Sequence, residues 1–203
     1  MSRLFQRYSS PSAFLDHQLH EIRASEFASE VFRQWPELRD ITERFCWLVG
    51  DRVRLQLIRL QAGEKGAGGP VASVCLIDAL SWLDQAPRKW LSSDRAARSL
   101  FLAGLLYNVP FITHLSITAN GQPWTIETGA PMCELLAGGA QIESHLRTDL
   151  GSRFSDGMAP NRLILLNRMY PATAHMDLPL DTTLAVFPPQ ALLADLYGAD
   201  EDV

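Results

Sequence analysis

The stretch FITHLSITANGQPWTIET, residues Phe111 to Thr128, decides the fold. Two runs of alternating apolar and polar residues meet in it at Asn120-Gly121, the strongest short-range signal for a type I′ β-hairpin. With that turn fixed, Ile117 lies opposite Trp124 and the register is set for the whole stretch. The sequence therefore predicts a central β-hairpin over residues 111–128.

The same register predicts an apolar and a polar face of the hairpin. It makes four further cross-strand pairs: Leu115 with Ile126, Thr113 with Thr128, Ser116 with Thr125, and His114 with Glu127. Pro123 falls opposite Thr118 in the non-hydrogen-bonded pair beside the turn, so its missing N–H costs nothing on that side. We therefore expect no third strand next to Pro123.

The rest of the chain predicts an α+β fold in which helices cover an antiparallel sheet. With 203 residues, 47% of them hydrophobic, we expect residues 1–203 to form one globular domain in which residues 1–9 and 199–203 fray. Alternation from residue 51 to 61 predicts a strand that joins the hairpin over Val53 to Leu60.

Capping residues and apolar spacing predict the helices. Two predicted helices cover residues 11–34, after Ser10, and residues 36–49, before Gly50. A buried helix begins after Ser93 or Asp94 and ends at Tyr107. Two short helices cover 132–136 and 141–150, and a last helix runs from Pro188-Pro189 to Gly198. Three apolar runs are assigned to strands: Val71 to Ile77, Arg162 to Met169 and Leu184 to Phe187. For the first of these, a buried helix starting at Pro70 is the alternative.

Charge and apolar runs narrow the class of partner. A net charge of −5 and a pI near 5.5 disfavour sequence-independent binding of nucleic acid, which needs a basic face. The apolar run from Leu100 to Ile112 is too short for a membrane span and contains Pro110. The N-terminal residues do not resemble a secretory signal. We therefore expect a cytoplasmic protein with no membrane insertion.

Few side chains predict chemistry. Cys46, Cys75 and Cys133 lack CxxC spacing, so we expect buried free thiols, with a nucleophilic Cys133 near His145 as the alternative. No metal-ligand set, phosphate-binding loop or nucleophile elbow matches, so we assign no catalytic residue, metal or cofactor. Across the hairpin, Glu127 could raise the pKa of His114 and form an acid–base pair, although a surface pair is the alternative.

The segment after Pro87 is the main candidate binding site. Trp90 lies there with Arg88, Arg95 and Arg98, ahead of the most apolar helix. Tryptophan and arginine are enriched at interaction hot spots. Trp90 either folds back over the buried helix or presents its ring to a partner.

Two short stretches also resemble a known family. Ala119-Asn-Gly-Gln-Pro-Trp124 and Leu150-Gly-Ser-Arg-Phe154 resemble the ADGEPW and LGRY segments of chorismate lyases and of the related ligand-binding domains of GntR-type regulators, known as UTRA domains. That resemblance implies a helix-covered antiparallel sheet that buries a small carboxylate. In the lyases, it implies release of pyruvate from chorismate without a cofactor.

Two functions are consistent with these observations. The first is a non-catalytic adaptor or chaperone-like protein that binds a protein partner through aromatic groups. The alternative is a domain that binds a small carboxylate or acts like a chorismate lyase.

Overall fold

The computed structural model describes residues 8–55, 69–112, 115–146, 158–170 and 180–198. Its α-helices are α1 (Pro11–Glu21), α2 (Ser25–Gln34), α3 (Pro36–Val49), α4 (Val71–Gln85), α5 (Asp94–Tyr107), α6 (Val109–Ile112), α7 (Met132–Ala137), α8 (Met158–Met169), α9 (Thr182–Val186) and α10 (Gln190–Tyr197). A single 3-10 turn, Arg88–Trp90, joins α4 to α5.

The strands form two small antiparallel sheets. They are β1 (Arg54–Leu55), β2 (Gly69–Pro70), β3 (Leu115–Ala119), β4 (Gln122–Trp124) and β5 (Ile142–Leu146). β1 pairs with β2, and the second sheet has the order β4-β3-β5. The predicted α+β fold, with an antiparallel sheet and covering helices, is confirmed.

The predicted hairpin turn is confirmed in detail. Ile117 pairs with Trp124, and Thr118 with Pro123. Asn120 and Gly121 have φ angles of 52° and 75°, the positive values that a type I′ turn requires. β3 is the middle strand of the sheet.

The outer part of the predicted hairpin is wrong. Phe111 and Ile112 belong to α6, and Leu115 pairs with Leu146 of β5 instead of Ile126. After Trp124 the chain leaves the strand and turns at residues 126–128. The indole Nε1 of Trp124 donates to the carbonyl of Ala130, beyond that turn, at 2.8 Å.

The remaining outer hairpin pairs also depart from the prediction or cannot be placed. Ser116 pairs with His145, not with Thr125, and Thr125 lies between the end of β4 and the turn at residues 126–128. Thr113 and His114 lie outside the described residues.

The third strand occupies part of a predicted helix. Residues 142–146 of the stretch 141–150 form β5, because pairing with β3 overrides local helix propensity. Asn120 fixes where β5 begins: its N–H donates to the Gln141 carbonyl at 2.9 Å, and its Oδ1 accepts from the Gln141 N–H at 2.9 Å. Of the strand predicted to join the hairpin, residues 54–55 pair with β2 in the other sheet, and 56–60 lie outside the described residues.

Three apolar runs assigned to strands are helical instead. Val71–Gln85 is one helix, which was the alternative interpretation, and the runs at 162–169 and 184–186 lie in α8 and α9. A short apolar run buried on several sides has no periodicity that separates strand from helix. The helix predicted over 11–34 is also two helices, because Arg23 adopts a left-handed φ of 57° between α1 and α2.

Helix α5 lies between two hydrophobic clusters. Phe101, Leu102 and Leu105 face the main core, while Leu100 and Ala103 face a second cluster with Trp82 of α4 and Leu192 of α10. This two-sided burial explains why α5 is apolar almost all round, and the predicted buried helix is confirmed.

The backbones of α4 and α5 approach each other closely at Gly104. A Cβ added there would lie 2.8 Å from the Cα of Ala79 and 2.9 Å from the carbonyl oxygen of Asp78. Both are backbone atoms, so they cannot move away as the end of a flexible side chain would. Only glycine allows the two helix backbones to approach this closely.

We predict that Gly104→Ala lowers the free energy of unfolding by about 1–3 kcal/mol, the range for an overpacked core. Gly138→Ala is the matched control, because its Cβ would meet nothing closer than 3.4 Å. Urea denaturation of both variants measures the difference. A Gly104→Ala variant as stable as Gly138→Ala would contradict the close contact.

Candidate functional site: a groove beside Trp35

The structure folds Trp90 back onto the protein. Trp90 is half-buried on the 3-10 turn, and its Nε1 donates to Oδ2 of Asp195 in α10 at 2.7 Å. Lys89 Nζ lies 2.6 Å from the same oxygen. Hydrogen bonds from Lys89 and then Trp90 hold the pKa of Asp195 below its usual value. Trp90 therefore fastens α10 to the segment before α5.

The three arginines of that segment, Arg88, Arg95 and Arg98, differ in their exposure to solvent. Arg98 is largely buried, and its Nη1 lies 2.7 Å from Oε1 of Glu37, which ties α5 to α3. Arg88 and Arg95 are exposed. The candidate residues Trp90 and Arg98 thus make separate structural contacts.

Of the predicted His114–Glu127 pair, Glu127 belongs to the described residues and His114 lies outside them. Glu127 is half-buried in the turn after β4, beside Arg168 of α8. Arg168 donates to the carbonyls of Ile126 and Gly129. Burial lowers the pKa of the Arg168 guanidinium, and the negative charge of Glu127 opposes that shift.

A groove of about 340 Å³ lies between α2, the end of α4 and the start of α5. The segment singled out in the sequence contributes one wall of it, through Leu91, Ser93, Asp94 and Ala97. Apolar side chains also come from α2 and α4: Phe27, Val31 and Leu83. The groove is large enough for a few side chains of a ligand.

Trp35 is placed in this groove by Pro36. A residue before proline is driven out of the helical region, and Trp35 has φ −132° and ψ 80° between α2 and α3. Its N–H still donates to the carbonyl of Val31 at 2.9 Å, so the ring leaves the end of α2 at a fixed position. The side chain lines the groove and the residue is only 8% exposed.

Among the described residues, the indole N–H of Trp35 has no hydrogen-bond partner. Its Nε1 is buried and unpaired within the described part of the chain. The other four tryptophans donate their indole hydrogen to Glu134, Tyr197, Asp195 and Ala130, at distances of 2.7 to 3.3 Å. Buried polar groups are nearly always paired, so this donor needs an explanation, and its side chain lies at a groove that a ligand could enter.

The rim of the groove is acidic. Three exposed carboxylates line it, Glu30 from α2, Asp84 from α4 and Asp94 from α5. Gln34 and Ser93 are the other polar residues, and no lysine or arginine is among the described residues that line the groove. The groove therefore combines an apolar surface, one buried donor and a negative rim.

The cysteines are buried free thiols, as predicted. Burial, followed by the charges of Asp51 and Glu134, raises the pKa of the Cys133 thiol to about 12. A thiol with that pKa is protonated at neutral pH and is a weak nucleophile. The His145 of the alternative hypothesis is exposed on β5.

Within the described ranges, no group of three or more His, Cys, Asp or Glu side chains is placed to hold a metal ion. In the same ranges, no helix is long and apolar enough to cross a membrane.

The groove itself was missed from the sequence. Trp35-Pro36 predicts a helix break, but nothing in the local pattern shows that Glu30, Asp84 and Asp94 converge there from three helices. The unpaired N–H depends on tertiary packing and has no sequence signal.

Comparison with known proteins finds no match: no family model, no curated protein and no solved structure is similar to this chain.

We predict that Trp90→Ala lowers the free energy of unfolding by about 1–3 kcal/mol, less than for a fully buried aromatic because the ring is half-buried. The lost contacts are those with Asp195 and the second cluster. Arg95→Ala, a change at an exposed position of the same segment, is the control and should change the free energy of unfolding by about 0.5 kcal/mol or less. Thermal melts compare the two. Unchanged stability of Trp90→Ala would contradict the fold-back position.

Proposed function

We propose that the protein is a non-catalytic adaptor or chaperone-like protein that binds a segment of a protein partner in the groove beside Trp35. The observation that carries this proposal is the indole N–H of Trp35, which is unpaired within the described part of the chain, whereas the indoles of the other four tryptophans all have a partner. A ligand carbonyl that reached this N–H would complete the pattern.

The energetic reason lies in the cost of the orphaned donor. A buried polar group without a partner costs about 1–3 kcal/mol in the folded protein. A bound segment that supplies an acceptor recovers part of that cost on binding and adds burial of the apolar wall. The nitrogen is buried in the free protein, so a side chain that lines the groove has to move before an acceptor reaches it.

The size of the groove supports a short segment as its occupant. A volume of about 340 Å³ is at the low end of the range for small-ligand sites. It holds a few side chains and leaves a folded domain outside. We also propose a cytoplasmic location, which suits a chain with three free thiols.

The small-carboxylate alternative has one observation in its favour. Residues 119–124, which resemble the chorismate lyase and UTRA segment, do form a hairpin with a type I′ turn. Residues 150–154, the second part of the resemblance, lie outside the described residues. Against it, the carboxylates at the groove repel an anion, so the partner-binding function is the one we propose.

The test fills the groove from an exposed position. Gln34→Trp places a large side chain in the groove at the last turn of α2, and Ser29→Trp puts the same ring on the same helix away from the groove. We expect wild type and Ser29→Trp to capture the same partner in a quantitative pull-down with mass spectrometry, and Gln34→Trp to lose it.

Equal capture by all three proteins would contradict binding in the groove. If no protein is captured and chorismate raises the melting temperature of the wild type, the small-carboxylate function is correct instead.

A further inference from the structure

We infer that the segment bound in the groove is cationic: an apolar side chain next to lysine or arginine, with a main-chain carbonyl that accepts from Trp35 Nε1. This inference rests on the proposed function and names the chemistry of its partner.

The rim supplies the charge argument. Glu30, Asp84 and Asp94 reach the groove from three different helices. Within the described ranges, the ion pairs engage other carboxylates, those of Asp16, Glu37, Glu43, Asp51 and Asp195. The groove carboxylates are therefore open to a cation from outside, and no basic side chain among the described lining residues competes for them.

The three carboxylates do not act equally. Asp94 lies in the first turn of α5, where the positive end of the helix dipole offsets part of its charge. Asp84 lies in the last turn of α4, where the helix dipole adds to its negative potential, whereas Glu30 lies near the middle of α2, where the dipole has little effect. Asp84 should therefore contribute most to the attraction of a cation, followed by Glu30.

The acidic rim favours a neutral group as the acceptor for Trp35 Nε1. A carboxylate would also accept from Trp35 Nε1, but three carboxylates at the rim would repel it. A peptide carbonyl is neutral and accepts the same hydrogen bond. The apolar wall formed by Phe27, Val31 and Leu91 then takes the neighbouring side chain.

The experiment selects ligands without assuming a sequence. A display library of random 12-residue peptides is panned on the full chain and counter-selected on Gln34→Trp, so that only peptides that need the groove survive. Fluorescence anisotropy then measures the affinity of the selected peptides for two charge variants. Glu30→Gln with Asp84→Asn, the rim variant, removes two of the three rim charges, and Asp40→Asn with Glu143→Gln removes the same charge from exposed positions outside the groove.

We expect the surviving peptides to carry net positive charge beside an apolar residue. Loss of two exposed charge contacts should weaken them roughly tenfold in the rim variant. The Asp40/Glu143 variant should change their affinity less than about twofold, because neither side chain lines the groove and salt screens exposed charges.

Two other results would overturn the inference in distinguishable ways. Groove-dependent peptides that are neutral or acidic, or that bind the rim variant and the control equally, would refute the cationic partner and leave the binding function intact. A library that yields no peptide sensitive to Gln34→Trp would refute the binding function together with the inference.

Discussion

The contact between α4 and α5 at Gly104 determines the arrangement of the other helices. Because Gly104 has no Cβ, the two helix backbones meet at Ala79, and α5 is brought deep enough to be buried on both sides. The first turns of α5 form one wall of the groove, and the face of α5 that carries Leu100 and Ala103 packs against α9 and α10. A change that separates α4 from α5 would disturb both regions.

An arginine side chain also connects the ends of two helices. Arg162 of α8 donates to the carbonyls of Leu106, Tyr107 and Val186, at 2.9 to 3.2 Å, so it joins the last turns of α5 and α9. Burial lowers the pKa of this guanidinium, and its place over the Tyr107 ring adds a cation–π contact. Arginine suits this role because its planar fork can donate to several carbonyls at once.

Much of the fold could be predicted where the signal is local. The type I′ turn follows from Asn120-Gly121, and Ser93 caps α5 through a hydrogen bond to the N–H of Ala96. The errors occur where tertiary contacts decide. Residues 71–85 are helical because they pack on α5, and residues 142–146 are extended because they pair with β3.

The candidate site was harder to predict for the same reason. Trp90 was singled out for its residue type, but its indole is occupied by Asp195. Trp35 has the same side chain, but its indole N–H lacks a partner within the described residues, which a sequence cannot show. A nearby segment was nevertheless identified, since Leu91 and Asp94 line the groove.

The central claim is that the Trp35 indole donates a hydrogen bond only when a ligand is bound. The most direct measurement is a ¹⁵N–¹H NMR spectrum of the five indole groups, with the Trp35 cross-peak assigned by Trp35→Phe. The account predicts that this cross-peak moves downfield when a groove-dependent peptide is added, while the cross-peak of Trp124, already bonded to Ala130, stays in place. A Trp35 cross-peak that does not move at saturating peptide would contradict the account.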